Sequence, residues 1–185
     1  NIKQHALSLQ HVDFLKTRFD NVTGYVINLD NAFSTFQKTM KDFNSELAYA
    51  NSRSRLRMIT LYQIAQSNNG LVVGTGNKVE DFGIGFYTKY GDGGVDISPI
   101  ADCTKSQVWE MGRELNISQN IIDAEPTDGL WDDNRKDEDQ IGLSYEQIEE
   151  AMQNSNSKYF EKFNQIRKPN LHKMNPIPVC IIKDK

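Results

Sequence analysis

The sequence predicts an α/β protein in which a parallel sheet is flanked by helices. Two short apolar segments, residues 25–29 and 71–74, have the composition of buried strands. Longer segments of helical periodicity alternate with them, which is the pattern of an α/β fold. The 185 residues suit one domain with a sizeable core. A doubly wound sheet would show two or three more strands, so we expect the first part of the domain to be missing from this chain.

The first half of the chain contains four segments that predict helices. Residues 6–19 place apolar side chains on one broad face and end before the Asn-Val-Thr-Gly break. Asp30 and Asn31 are N-cap candidates for a helix that continues to residue 40. A long helix is expected over residues 46–65, and a short one over residues 78–84 after the second strand. Residues 85–99, rich in glycine, are expected to form an ordered loop.

The second half predicts three further helices, at residues 104–115, 144–152 and 158–168. Asp102 or Thr104 can cap the first of them, and Ser144 with Gln147 forms a capping box at the start of the second. Residues 116–122 suggest a short turn, and residues 124–140 a polar, acidic loop. The prolines of residues 173–179 favour an extended end.

The bulk composition excludes several classes of protein. The formal charge is −4, which provides no overall basic field for binding nucleic acid. No apolar run approaches the roughly 18 residues of a membrane span. Cys103 and Cys180 fit no metal-binding or redox spacing, so we expect two free thiols in a reducing compartment such as the cytoplasm.

The segment from residue 74 to residue 96 carries the chemistry that the sequence suggests. An apolar strand leads directly into Gly74-Thr75-Gly76, and small residues after a buried strand let backbone N–H groups approach phosphate oxygens. Glu80 is suited to holding a magnesium ion, and Lys89 is suited to neutralising the negative charge of a ligand. A phosphorylated ligand is therefore expected at this end of the strand.

Residues 47–152 resemble the C-terminal part of the NAD synthetases, members of the adenine-nucleotide alpha-hydrolase (ATP pyrophosphatase) superfamily. The motifs that carry the resemblance, with the number of their first residue, are NSRSRLRM (51), GTGNKVE (74), TKYGDGGVD (88), PI (99), TK (104), EPTDGL (125), DE (137) and LSY (143), followed by the tail HKM (172). The phosphate loop of that family, Ser-Gly-Gly-x-Asp-Ser, is not in the sequence, and we expect it upstream of residue 1. The resemblance implies a Rossmann-like, doubly wound sheet in one domain over residues 1–185.

The resemblance also implies a reaction. The carboxylate of nicotinic acid adenine dinucleotide (deamido-NAD) attacks the α-phosphate of ATP, and ammonia then displaces AMP to give NAD, with Mg²⁺ as cofactor. The short C-terminal tail resembles that of the ammonia-dependent form, while a glutamine-using form with a separate upstream domain stays open. It further implies a cytoplasmic homodimer, with a tail of residues 169–185 near the dinucleotide site. The site residues that it implies are Thr75, Lys105 and Thr127 for ATP; Arg55, Lys89, Asp96, His172 and Lys173 for deamido-NAD; and Glu80 for the metal.

Other interpretations of the sequence remain open. A chain without the phosphate loop could bind the dinucleotide or dimerise without catalysing the reaction. A tRNA-modifying or GMP-forming relative is disfavoured by the net negative charge and by the TKYGDGG motif. Arg53 and Arg57 are expected to be surface groups or salt-bridge partners, since they cannot share one helix face with Arg55. Trp131 either covers a nucleotide or pins its own loop.

Overall fold

The computed structural model describes residues 2–131 and 135–182. Most of the regular structure in these residues is helical. The α-helices are α1 (Ile2–Lys16), α2 (Asp30–Thr39), α3 (Glu46–Ser67), α4 (Lys105–Glu114), α5 (Gln119–Ile122), α6 (Asp137–Ile141), α7 (Tyr145–Gln153) and α8 (Phe160–Met174). A π-helix spans Lys78–Ile84. No helix among the described residues combines the length and the apolar character needed to cross a membrane.

The predicted sheet is not observed in the described residues. The expected buried strand at residues 25–29 is wrong, because Tyr25, Val26 and Ile27 are exposed and belong to no regular element. Within the segment 71–74, a single isolated parallel bridge joins Val73 to Ile97. Apolar composition alone does not make a strand, since a strand is stable only when neighbouring strands accept and donate its backbone hydrogen bonds.

The predicted helices are confirmed in position, but the N-cap of α2 is Leu29 and not Asp30 or Asn31. Three corrections apply in the second half of the chain. The segment 116–122, expected to be a short turn, contains the helix α5. The acidic segment 124–140, expected to be a loop throughout, contains the short helix α6. Helix α8 passes the expected end at residue 168 and continues to Met174, with Pro169 inside it. Side-chain contacts hold these last turns in place, because Asn170 donates to the Ile84 carbonyl (3.0 Å) and Lys173 donates to the Gly85 carbonyl (2.8 Å). The extended end begins only at residue 175.

The core lies where α7 and α8 pack against the π-helix. Its buried residues are Val79, Ile84, Ile141, Leu143, Tyr145, Ile148, Ala151 and Phe163. Asn77 caps the π-helix, because its Oδ1 accepts hydrogen bonds from the backbone N–H groups of Val79 and Glu80. The segment that carries Glu80 is therefore fixed by both the core and its cap.

Candidate functional site

A cavity of about 910 Å³ lies between α3, the π-helix, the glycine-rich loop, the start of α4, the segment 126–131 and the end of α8. Every predicted site residue except Asp96 lies on its wall. These residues are Arg55, Thr75, Glu80, Lys89, Lys105, Thr127, His172 and Lys173. The structure thus brings residues from six separate sequence motifs to one cavity.

At one end of the cavity, Glu80 and Lys105 form an ion pair. Lys105 Nζ lies 2.8 Å from Glu80 Oε1, and both side chains are less than a fifth exposed. Lys105 is the first residue of α4, and Thr104, the N-cap before it, forms a complete capping box with Gln107. Of the two proposed caps, Thr104 is therefore the one used, and Asp102 instead pairs with Lys78 (2.8 Å).

Tyr145 is the third member of this group, as a neutral hydrogen-bond donor, although the sequence assigned no role to it. Its hydroxyl donates a hydrogen bond to Glu80 Oε1 (2.7 Å), and Lys105 Nζ lies 4.8 Å from its ring centroid. Burial, followed by the charges of Glu80 and Asp137, raises the pKa of Tyr145 far above its usual value. The phenol therefore stays protonated and remains a hydrogen-bond donor. Asn77 donates to the other oxygen of Glu80, Oε2 (2.6 Å).

Asp137, at the start of α6, is a second site residue that sequence reasoning missed. Its side chain lies on the cavity wall and the residue is only 7% exposed. Its Oδ2 lies 3.4 Å from the Tyr145 hydroxyl, while its Oδ1 has no hydrogen-bond partner among the described residues. Desolvation, followed by the charges of Glu80 and Asp128, raises the pKa of Asp137 to about 6. The only sequence signal was its place in the motif DE at 137–138.

Basic residues gather at another part of the wall. Lys89 Nζ donates to the His172 carbonyl (2.6 Å), and Arg55 Nε donates to the Lys89 carbonyl (3.3 Å). Lys173 donates to the carbonyls of Gly85 and Tyr87 (2.8 and 2.7 Å), and burial lowers its pKa. The predicted pair His172 and Lys173 is therefore brought to Arg55 and Lys89 by the last turn of α8.

Asp96 has a different position. Its Oδ2 accepts from the Val72 backbone N–H (2.8 Å), and its Oδ1 accepts from the Tyr62 hydroxyl (3.2 Å). These bonds tie the end of the glycine-rich loop to the segment 71–74 and to α3. The expected role of Asp96 in binding deamido-NAD stays a prediction, with the side chain off the cavity wall.

The loop that carries Thr127 is held to α3 by arginines. Arg57 donates to the carbonyls of Asp128 (3.4 Å) and Gly129 (3.0 Å), and Arg53 donates to the carbonyl of Leu130. Arg53 and Arg57 therefore anchor this loop through its carbonyls, and Arg57 is also exposed, as expected for a surface group.

Trp131 both lines the cavity and pins its own loop. Its indole N–H donates to Asp128 Oδ2 at 3.2 Å, and its side chain lies on the cavity wall. The two interpretations that the sequence left open for this residue therefore do not exclude each other.

With this geometry established, the family follows from sequence comparison. The NAD synthase family model matches residues 4–177. The chain belongs to the NAD synthase family. Among similar proteins are the NH(3)-dependent NAD(+) synthetases of Thermoplasma volcanium (42% identical over 141 residues, 76% of this chain and 57% of the relative) and Carboxydothermus hydrogenoformans (42% over 133 residues, 70% and 54%). The chain thus spans little more than half the length of these curated relatives.

Two solved structures share the fold of this chain. The NMN synthetase from Francisella tularensis superposes with a TM-score of 0.89 and 31% identity, covering 98% of this chain and 74% of that one. The NH3-dependent NAD synthetase from Campylobacter jejuni superposes with a TM-score of 0.66 and 23% identity, covering 87% and 67%, and shows the fold alone. These neighbours agree with the α/β class, although the described residues contain only one β-bridge.

Proposed function

We propose that this chain takes part in the ATP-dependent amidation of deamido-NAD to NAD, with ammonia as the nitrogen donor. The observation that carries the proposal is the single cavity that brings the residues predicted for ATP and most of those predicted for deamido-NAD to one wall. Its similarity to proteins named NH(3)-dependent NAD(+) synthetases supports a catalytic role over one in binding alone.

The residues at the Glu80 end fit a divalent cation. Glu80 Oε1 already accepts from Lys105 and Tyr145, but among the described residues Oε2 accepts only from Asn77 and keeps a lone pair for a metal. Mg²⁺ suits such a site, since it is commonly bound by one or two carboxylates together with substrate phosphates and water. When bound, the ion would neutralise phosphate charge, and Glu80 is the residue of this chain that would hold it.

The two steps place different demands on the residues of the cavity. Attack of the substrate carboxylate on the α-phosphate brings two anions together, so cations must offset their repulsion. We propose that Lys105 and Thr127 bind the triphosphate and that Arg55, Lys89 and His172 bind the dinucleotide, since all five residues line the cavity. Pyrophosphate leaves as the acyl adenylate forms. Ammonia then attacks the acyl carbon, the nitrogen releases one proton to the solvent, and AMP departs with the C–O bonding electrons.

A smaller substrate is a second candidate. The neighbour from Francisella tularensis is named an NMN synthetase and covers nearly all of this chain. Nicotinate mononucleotide carries the same reacting carboxylate as deamido-NAD, so the chemistry would be unchanged. The two candidates differ in whether the cavity must also hold the adenylate half of the dinucleotide.

The oligomeric state and the cellular location of the protein are also part of the proposal. A homodimer would suit the exposed apolar side chains Ile59 and Leu61 on α3, because burying them against a second copy removes apolar surface from water. A cytoplasmic location would suit the two cysteines, which are both free thiols.

The test is an assay of amide formation. The chain is incubated with ATP, Mg²⁺, ammonium and either deamido-NAD or nicotinate mononucleotide, and NAD, NMN and AMP are quantified. We expect NAD with an equal amount of AMP, a Lys105→Met variant that loses at least tenfold in rate, and a Lys158→Met control that does not. NMN as the main product would select the smaller substrate. AMP without either amide, or no AMP from folded protein, would contradict the proposed reaction.

A further inference from the structure

Building on the proposed function, we propose that Asp137 is an outer-shell acceptor for the cation held by Glu80, with Tyr145 positioning both carboxylates. In this arrangement Asp137 takes a hydrogen bond from a water molecule of the cation and does not bind the metal directly. Neither residue was assigned a role by its motif. The inference deepens the proposed metal site by adding the group that orients the water shell.

The unpartnered oxygen of Asp137 is the first observation. Asp137 is 7% exposed, and its Oδ1 has no donor among the described residues. Such atoms are uncommon in folded proteins, and a buried carboxylate oxygen without a donor is costly. Because Asp137 lies on the cavity wall, a donor can arrive with the ligand. A carboxylate is a strong acceptor for a polarised O–H group.

The position of Tyr145 is the second observation. Its one hydroxyl proton is directed to Glu80 Oε1 at 2.7 Å, while Asp137 Oδ2 lies at the longer distance of 3.4 Å. The hydroxyl oxygen of Tyr145 therefore lies between the two carboxylates, but only Glu80 accepts a short hydrogen bond from it. Asp137 retains its capacity to accept from a group bound beside Glu80.

The distribution of charge favours a hydrated cation over other ligands. Lys105 Nζ is engaged with Glu80 Oε1 at 2.8 Å, so the ammonium group is directed to Glu80. No set of three or more His, Cys, Asp or Glu residues in the described ranges can hold a metal alone. A cation here must keep water and phosphate in its coordination sphere, as Mg²⁺ does. Outer-shell carboxylates that accept from metal-bound groups tune metal affinity by 10–100-fold.

The backbone joins this group to the nucleotide loop. The Asp137 N–H donates to the Pro126 carbonyl (3.1 Å), next to Thr127. Movement of the Thr127 loop on nucleotide binding would therefore move Asp137 with it. Binding of the cation and of the nucleotide should be linked through this contact.

The test measures metal binding directly, with Mn²⁺ as a paramagnetic probe in the presence of a non-hydrolysable ATP analogue. The variants are Asp137→Asn and Tyr145→Phe, which keep size and shape. Their controls are Asp139→Asn, an exposed acid on the same helix, and Tyr159→Phe, whose hydroxyl has no partner among the described residues. Binding of the analogue in EDTA and the unfolding temperature are recorded for each protein.

We expect Mn²⁺ in the ternary complex to bind about 10–100-fold more weakly to Asp137→Asn, and at least severalfold more weakly to Tyr145→Phe. Both controls should bind as the unaltered chain does, and analogue affinity in EDTA should be the same for all. Metal affinity of Asp137→Asn equal to that of Asp139→Asn would overturn the inference while leaving the proposed function intact. A loss of analogue affinity in Asp137→Asn or Tyr145→Phe that is equally large in EDTA and in the presence of metal would also overturn the inference, because it would show a structural role for the residue. An unaltered chain that binds no analogue would instead contradict the proposed function.

Discussion

The carboxyl group of Asp81 should destabilise the folded protein at neutral and alkaline pH. Asp81 lies in the π-helix beside Glu80, partly buried and directed at Gly76, with no hydrogen bond from its side chain to another described residue. Desolvation, followed by the charges of Glu80 and Asp92, raises its pKa from 3.8 to about 7. The folded state therefore binds this proton more tightly than the unfolded chain does between these two values. Stability should fall as the pH rises through this window.

The size of the effect follows from the pKa shift. One pKa unit corresponds to about 1.4 kcal/mol, so the shift of Asp81 sets an upper limit of about 4 kcal/mol on the destabilisation above pH 7. Because the carboxyl group keeps some contact with solvent, we halve this figure to about 2 kcal/mol. An Asp81→Asn substitution removes the charge at nearly constant volume. It should stabilise the protein by about 2 kcal/mol at pH 8, and by clearly less at pH 5.

The measurement is urea unfolding of the unaltered chain and of Asp81→Asn at pH 5 and pH 8, in metal-free buffer. Asp139→Asn serves as the control, because that acid is exposed. The gain in unfolding free energy should be larger at pH 8 than at pH 5, with similar m-values. A gain of the same size at both pH values, or a loss at pH 8, would refute the assignment of an unfavourable buried charge to Asp81.

Three further substitutions test the packing around the site. Gly76→Ala should lower the free energy of unfolding by about 1–3 kcal/mol, because its Cβ would overlap the Asp81 carboxylate. The loss should be smaller in an Asp81→Ala background, which a double-mutant cycle measured by urea unfolding would show. Ile148→Ala, at a fully buried position of α7, should cost about 2–5 kcal/mol by the same assay. Arg57→Ala frees the loop of Thr127 and should weaken nucleotide binding severalfold by calorimetry, with a change of about 1 kcal/mol in stability. Unchanged nucleotide affinity in that variant would show that the loop holds its position without this anchor.

The sequence predicted the helices better than the sheet for a physical reason. Helix signals are local: the capping box of Ser144 and Gln147 lies within one turn, and the structure forms it as expected. A strand depends on partners that are distant in sequence, so the apolar run at residues 25–29 could suggest a strand without supplying its neighbours. The short helix α6 was missed because five residues, three of them acidic, carry no periodicity.

The same distinction applies to the site. Motifs identified the residues of the cavity wall because each motif is contiguous in sequence. The contacts between motifs were not predictable, since Tyr145 meets Glu80 across 65 positions and Lys105 meets Glu80 across 25. Asp137 belongs to the motif DE, but its burial and the lack of a hydrogen-bond partner for its Oδ1 among the described residues are properties of the folded chain alone.

The ion pair between Lys105 and Glu80 has a consequence for the order of binding. Each residue is predicted for a different ligand, phosphate for Lys105 and metal for Glu80, yet in the structure they satisfy each other at 2.8 Å. If a nucleotide binds without the cation and draws Lys105 to its phosphates, the buried carboxylate of Glu80 loses part of its pairing with Lys105. If the cation binds without a nucleotide, a second positive charge lies beside Lys105. Both situations carry an electrostatic cost. When metal and nucleotide bind together, the Lys105–Glu80 pair is replaced by two pairs, Lys105 with phosphate and Glu80 with the metal. The geometry therefore favours their joint binding.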